Sequence, residues 1–172
     1  MKTKLLLFVV LTIGLKFSYA QIEVSHISSK NFKATGLSAF LNFSIPVAEV
    51  NYITLEGGVR YFKSNDEELA LIPCLAGYRY TLNQSGSGLY VEPYAGYSFG
   101  YTTLQTHNQD GIYSDAKPGG PTAGAGFGYL FEPGGIVQLN IGLRYEHCFA
   151  SYATNTFSFR ISHAFTFGRR ND

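Results

Sequence analysis

Between Leu89 and Tyr101 the chain alternates without a break. The odd positions Leu89, Val91, Pro93, Ala95, Tyr97, Phe99 and Tyr101 are apolar or aromatic. The even positions Tyr90, Glu92, Tyr94, Gly96, Ser98 and Gly100 mix a carboxylate with tyrosine, serine and glycine. A period of two marks a strand whose two faces meet different surroundings. The division recurs along the chain. Thr54, Glu56, Gly58 and Arg60 oppose Ile53, Leu55, Gly57, Val59 and Tyr61; Gln138, Asn140, Gly142, Arg144 and Glu146 oppose Val137, Leu139, Ile141, Leu143 and Tyr145. Ser158, Arg160 and Ser162 oppose Phe157, Phe159, Ile161, Phe165 and Phe167, and Gly124, Gly126 and Gly128 oppose Ala123, Ala125, Phe127, Tyr129 and Phe131. One face carries glycine and charge, the other bulky apolar groups.

The pattern predicts an all-β chain of about eight strands, near 22–29, 35–47, 51–63, 68–81, 88–103, 120–131, 135–147 and 155–167. The first, "IEVSHISS", alternates poorly. Between the segments lie "KSNDEE", "NQSGSG", "HNQDGIYSDAKPGG", "EPGG" and "SYATN", rich in the residues that turns require. No linker divides the chain. Before the first strand, "MKTKLLLFVVLTIGLKFSYA" has the form of a secretory signal peptide: two early lysines, a short apolar run, then small residues at Ser18 and Ala20. Residues 1–20 are therefore expected to be removed and residues 21–172 to form one domain. Loss of Lys2, Lys4 and Lys16 leaves ten of the thirteen Lys and Arg against twelve Asp and Glu, a formal charge of −2. That balance argues against a nucleic-acid partner.

Two barrels satisfy such faces. A soluble one turns its apolar face inward around a ligand, and a membrane-spanning one turns it outward into lipid. The composition of the polar face separates them. It holds few lysines, many glycines and a near-balanced set of Glu56, Glu92 and Glu146 against Arg60, Arg79, Arg144 and Arg160. A water-facing surface is about a quarter to a third charged, with lysine prominent. Aromatic residues gather near the strand ends: Tyr61, Tyr101, Tyr145 and Phe157 at one, Tyr78, Tyr80, Tyr129, Phe131 and Phe167 at the other, as in two interfacial girdles. Apart from the leader, no apolar run approaches the ~20 residues of a spanning helix. The expectation is an antiparallel up-and-down transmembrane β-barrel. Its even-numbered connections, 48–50, 82–87 and 132–134, are short, and the longest, 104–119, lies at the other end.

With its signal peptide, its dyad repeats, "YVEPYAGYSFG", "LNIGLRYEH" and the final "FSFRISHAFTF", the chain resembles, from Gln21 to Gly168, small outer-membrane β-barrel proteins of the OmpA/OmpX-like, eight-stranded type. The resemblance implies the outer membrane as location, its lipid and lipopolysaccharide as surroundings, insertion by the outer-membrane machinery, and a monomer. It implies a structural or surface-interaction role without catalysis; a narrow pore for small solutes is the alternative. Lipid A deacylases are similar barrels with a His-x-Ser pattern at the rim. Here His147 is followed by Phe149 where that pattern needs serine, with Ser151 as a substitute.

Other motifs carry less. "GAGFG" lacks the following helix that a dinucleotide loop needs. His26, His107, His147 and His163 show no metal spacing. No catalytic, cofactor or metal residue is assigned. His163 falls on the expected lipid face. Cys74 is expected outward and Cys148 inward, which predicts two free thiols. Pro73 and Pro93 lie inside strands, where bulges are expected. The candidate site is an interior charge network of Glu56, Arg60, Arg79, Glu92, Arg144, Glu146 and Arg160. A turn centred near residue 84 or 85 sets Gly77 opposite Glu92 and makes Arg79 its diagonal neighbour.

Overall fold

A computed structural model describes residues 18–30, 32–48, 51–65, 67–83, 87–102, 105–107, 113–115, 118–131, 138–150 and 153–165. Ten strands run in chain order: β1 (Ser18–Ser28), β2 (Lys33–Ala48), β3 (Asn51–Ser64), β4 (Glu67–Thr81), β5 (Gly88–Thr102), β6 (Gln105–His107), β7 (Tyr113–Asp115), β8 (Gly120–Leu130), β9 (Gln138–Cys148) and β10 (Thr154–Phe165). Eight close into a barrel in the order β1-β10-β9-β8-β5-β4-β3-β2, all antiparallel. The seam between first and last strands is continuous, from Ser18 opposite Phe165 to Ser28 opposite Asn155. Closure removes every free edge, so the main chain satisfies its own hydrogen bonds. Among the described residues no helix is long and apolar enough to cross a membrane.

The expected strands are present, with differences that have physical causes. β1 starts at Ser18, before the expected mature terminus at Gln21, because Ser18, Tyr19 and Ala20 pair with both β10 and β2. The connection read as a loop over 104–119 contains a separate hairpin, in which Gln105 pairs with Asp115 and His107 with Tyr113. Bulges do not occur at Pro73 or Pro93. Each proline interrupts one ladder but keeps register with its other neighbour, Pro73 opposite Ser98 and Pro93 opposite Ala125. Only the side facing the missing N–H is lost. The register shift falls instead between Pro46 and Ala48. Positions 135–137, 166 and 167 of the expected last two strands lie outside the described residues.

The two faces are sorted as a membrane barrel requires. Odd positions of β5 from Leu89 to Tyr101 are exposed, while Tyr90, Glu92, Tyr94 and Ser98 are buried. Tyr61, Tyr101, Tyr145 and Phe157 stand outward near one end, and Tyr78, Tyr80, Tyr129 and Phe131 near the other. Cys74 is exposed and Cys148 buried, and both are free thiols. His163 lies in β10 opposite Leu139 and Ala20, partly covered. Inside, glycines make room for aromatics. A Cβ on Gly128 would come within 2.5 Å of the Tyr90 hydroxyl, and one on Gly142 within 2.8 Å of the same atom.

Candidate functional site

An eight-stranded barrel is just wide enough for side chains to fill it. Here they do so in two tiers. The upper tier, at the end bearing the β1–β2 and β3–β4 turns, is apolar: Ile27, Phe32, Ala34, Phe62, Leu69 and Leu71 form one buried cluster. Ile27 faces Ala34 across β1–β2, and Phe62 faces Leu69 across β3–β4.

The lower tier is charged. Glu56, Arg60, Arg79, Glu92, Arg144, Glu146 and Arg160 are all buried, and a further carboxylate, Glu23 on β1, joins them. They form one chain of alternating sign: Glu146, Arg60, Glu23, Arg144, Glu56, Arg160, Glu92, Arg79. Arg60 holds both oxygens of Glu146, with Nη2–Oε2 at 3.0 Å. Its Nη2 also lies 3.7 Å from Glu23 Oε2. Arg144 Nη1 donates to Glu23 at 3.1 Å and to Glu56 at 2.6 Å. Arg160 reaches Glu56 at 3.2 Å and Glu92 at 2.5 Å, and Arg79 Nη2 reaches Glu92 at 3.1 Å.

Neutral groups complete the chain. Gln21 donates to Glu23 at 2.7 Å, Asn42 to Glu56 at 2.5 Å and Thr54 to Glu92 at 2.7 Å. Arg160 Nη2 donates to the Tyr90 hydroxyl, which donates in turn to Asn140, each at 2.8 Å. Aromatic faces cover the guanidinium planes. Arg144 lies 4.2 Å from the Tyr94 centroid, Arg79 4.7 Å from Tyr90 and Arg60 5.0 Å from Phe40. Charged hydrogen bonds and ring faces together offset the cost of removing these ions from water.

Two details of the expected network are corrected. Gly77 faces Tyr94 rather than Glu92, because the turn between β4 and β5 centres one residue later, so Arg79 stands across from Glu92 and not diagonal to it. Glu56 and Arg60 lie four residues apart on one strand face, a spacing that predicts a link through neighbouring strands and not directly; the link instead runs through Glu23 on β1 and Arg144 on β9. Each reaches across the lumen, Glu56 to Arg144 and Arg160, Arg60 to Glu146 and Glu23. Glu23 escaped sequence reading because "IEVSHISS" breaks its alternation at Ile27, which points into the apolar tier. The signal was present in Gln21, Glu23 and Ser25, which share a parity and are all buried.

His147 sits apart, on the outer side of β9. Its Nδ1 lies 2.8 Å from Asn155 Oδ1, and its ring packs edge-on to Phe149 with centroids 4.4 Å apart. Neither neighbour is a nucleophile. Ser151 lies outside the described residues. Among the described residues no three His, Cys, Asp or Glu gather as metal ligands.

No protein-family model and no curated protein sequence matches the chain. Solved structures do. Neisserial surface protein A (NspA) superposes with a TM-score of 0.66 at 15% identity over 88% of this chain and 96% of that one. Ail, the attachment invasion locus protein of Yersinia pestis, gives 0.60 at 12% identity over 87% and 97%. A de novo designed transmembrane β-barrel gives 0.57 at 17% identity over 87% and 96%. The chain has the fold of the small eight-stranded outer-membrane β-barrels of the OmpA/OmpX-like kind.

Proposed function

We propose that this chain is an integral outer-membrane barrel with a closed interior, acting as a structural or surface-interaction protein without catalysis. The observation that carries the reading is the ion-pair chain across the lumen, whose Arg60, Arg144 and Arg160 are 0%, 2% and 0% exposed. A solute path would have to break it. The outward girdles support a bilayer as the surrounding medium. The fold shared with Neisserial surface protein A and with Ail supports the outer membrane, reached by export with the leader and inserted by the outer-membrane machinery. The N-terminus then lies on the periplasmic side. The β1–β2, β3–β4, β5–β8 and β9–β10 ends of the barrel face outward, where the β6–β7 hairpin is offered to the surroundings. Ail is named for attachment, which is the class of role proposed here. Lipid and lipopolysaccharide surround a monomer.

The test is the refolded protein in planar bilayers. Silence at all voltages is expected, together with different migration of boiled and unboiled samples on a gel. Steady single-channel conductance would favour the pore reading and overturn the closed interior. Unchanged lipid A mass after expression is expected; loss of an acyl chain that depends on His147 would overturn the non-catalytic role.

A further inference from the structure

Among the described residues, exposed positive charge without an ion pair gathers at one place on the barrel's outer wall. The described lysines are Lys30, Lys33 and Lys63. Lys63 is neutralised by Glu68 at 3.0 Å. Lys30 and Lys33 are exposed and make no ion pair with a described carboxylate. Lys33 begins a row of polar side chains, and Lys30 lies at the same end, two residues after Ser28. Ser28 pairs with Lys33 on one side and Asn155 on the other, and Asn155 pairs with His147. Four strands, β2, β1, β10 and β9, thus present the row over about 14 Å, at ~4.8 Å per strand.

The hydrogen bonds within the row leave capacity facing outward. Tyr145 hydroxyl donates to Asn155 Oδ1 at 2.8 Å, and His147 Nδ1 approaches the same oxygen at 2.8 Å. An amide oxygen only accepts, so Nδ1 carries the hydrogen. Nε2 of His147 and the amide nitrogen of Asn155 keep their own bonding capacity. Directly below Ser28 and Lys33, His26 and Thr35 continue the polar surface, with His26 Nδ1 3.2 Å from Thr35 Oγ1. Beyond that pair, and directly below Asn155, the wall is apolar, and Ile22, Val24, Leu37 and Phe157 are 65%, 50%, 64% and 52% exposed.

A charged row above an apolar wall matches a lipid, phosphate at the lysines and chains below. We propose that this patch binds the headgroup of a phosphorylated glycolipid in the leaflet around that rim, with phosphate at Lys30 and Lys33 and sugar hydroxyls at Asn155 and His147. The width of the row favours a headgroup with several hydroxyls over a single phosphodiester. The proposal rests on the reading of the chain as an outer-membrane barrel.

Native mass spectrometry of the refolded barrel tests it, with diphosphoryl lipid A or phosphatidylglycerol added in zwitterionic detergent. Lipid A is expected to be retained at least tenfold better than phosphatidylglycerol. Retention should fall by a similar factor in the Lys30→Gln/Lys33→Gln variant, fall severalfold in Asn155→Ala, and hold in Lys63→Gln. Equal retention of both lipids would refute a sugar-reading site. Full retention in the double-lysine variant, or equal loss in Lys63→Gln, would refute the patch itself. Heat-modifiable migration of the same samples is read in parallel. If it is absent in the unmodified protein, the barrel reading fails; if it is present while lipid retention is indifferent to the variants, only the lipid site fails.

Discussion

Each arginine of the lumen is used differently, and the difference sets what its loss should do. Arg160 serves Glu56 and Glu92, and Arg144 serves Glu23 and Glu56. Arg79 ends the chain and serves Glu92, which Arg160 also holds. Arg160→Met leaves two buried carboxylates each short of a partner and is expected to cost about 3–5 kcal/mol. Arg79→Met leaves Glu92 paired and should cost clearly less. Urea unfolding from lipid vesicles measures both, and equal losses would show that the alternating chain carries no energetic order. Glu92→Ala should likewise be costly. Replacing Arg79 and Glu92 together by apolar groups should restore part of that loss, since Arg160 keeps Glu56. The seven candidate residues were legible in the sequence because parity alone assigns a strand residue to a face. Their partners were not. Arg144 and Glu23 are 121 positions apart, and no local rule brings them together.

The strands repeat this lesson at greater length. β3, β5, β8 and β9 were legible because each keeps one apolar face from end to end. β1 was faint because its inward face changes character, polar at Gln21, Glu23 and Ser25 and apolar at Ile27. β4 does the same, with Leu69 and Leu71 inward above Arg79. Period-two reading assumes one environment per face, and a lumen with two tiers breaks that assumption. The β6–β7 hairpin was missed for another reason: a run of turn-forming residues hides strands of only three residues each. The outward faces make a direct prediction. Phe159 is 43% exposed in mid-β10. Phe159→Arg should cost about 2–4 kcal/mol if that position meets hydrocarbon near the midplane. A change below about 0.5 kcal/mol, the usual limit for a surface substitution, would place Phe159 in water and reverse the faces.

Two layers of side chains occupy the barrel, an apolar cluster and an ionic layer beneath it, and the closed interior proposed above makes each a seal. Neither should conduct when only one is cut. Phe62→Ala/Leu71→Ala is expected to stay silent in planar bilayers, and so is Arg144→Ser/Arg160→Ser. The four changes together should leak small ions; a leak from either pair alone would show a single seal. The ionic layer also bears on the order of assembly. Of its seven ion-pair contacts, only Arg79–Glu92 joins strands consecutive in the chain. Arg60–Glu23 joins β3 to β1, and the remaining five span the lumen from β1 or β3 to β9 or β10, or from β10 to β5. A hairpin of β8 and β9 alone would carry Arg144 and Glu146 with neither's partner. Any half-built sheet entering the bilayer therefore exposes ions that only the finished ring can neutralise. Insertion and closure are forced into one event, and a chain stalled between them has no stable place to wait.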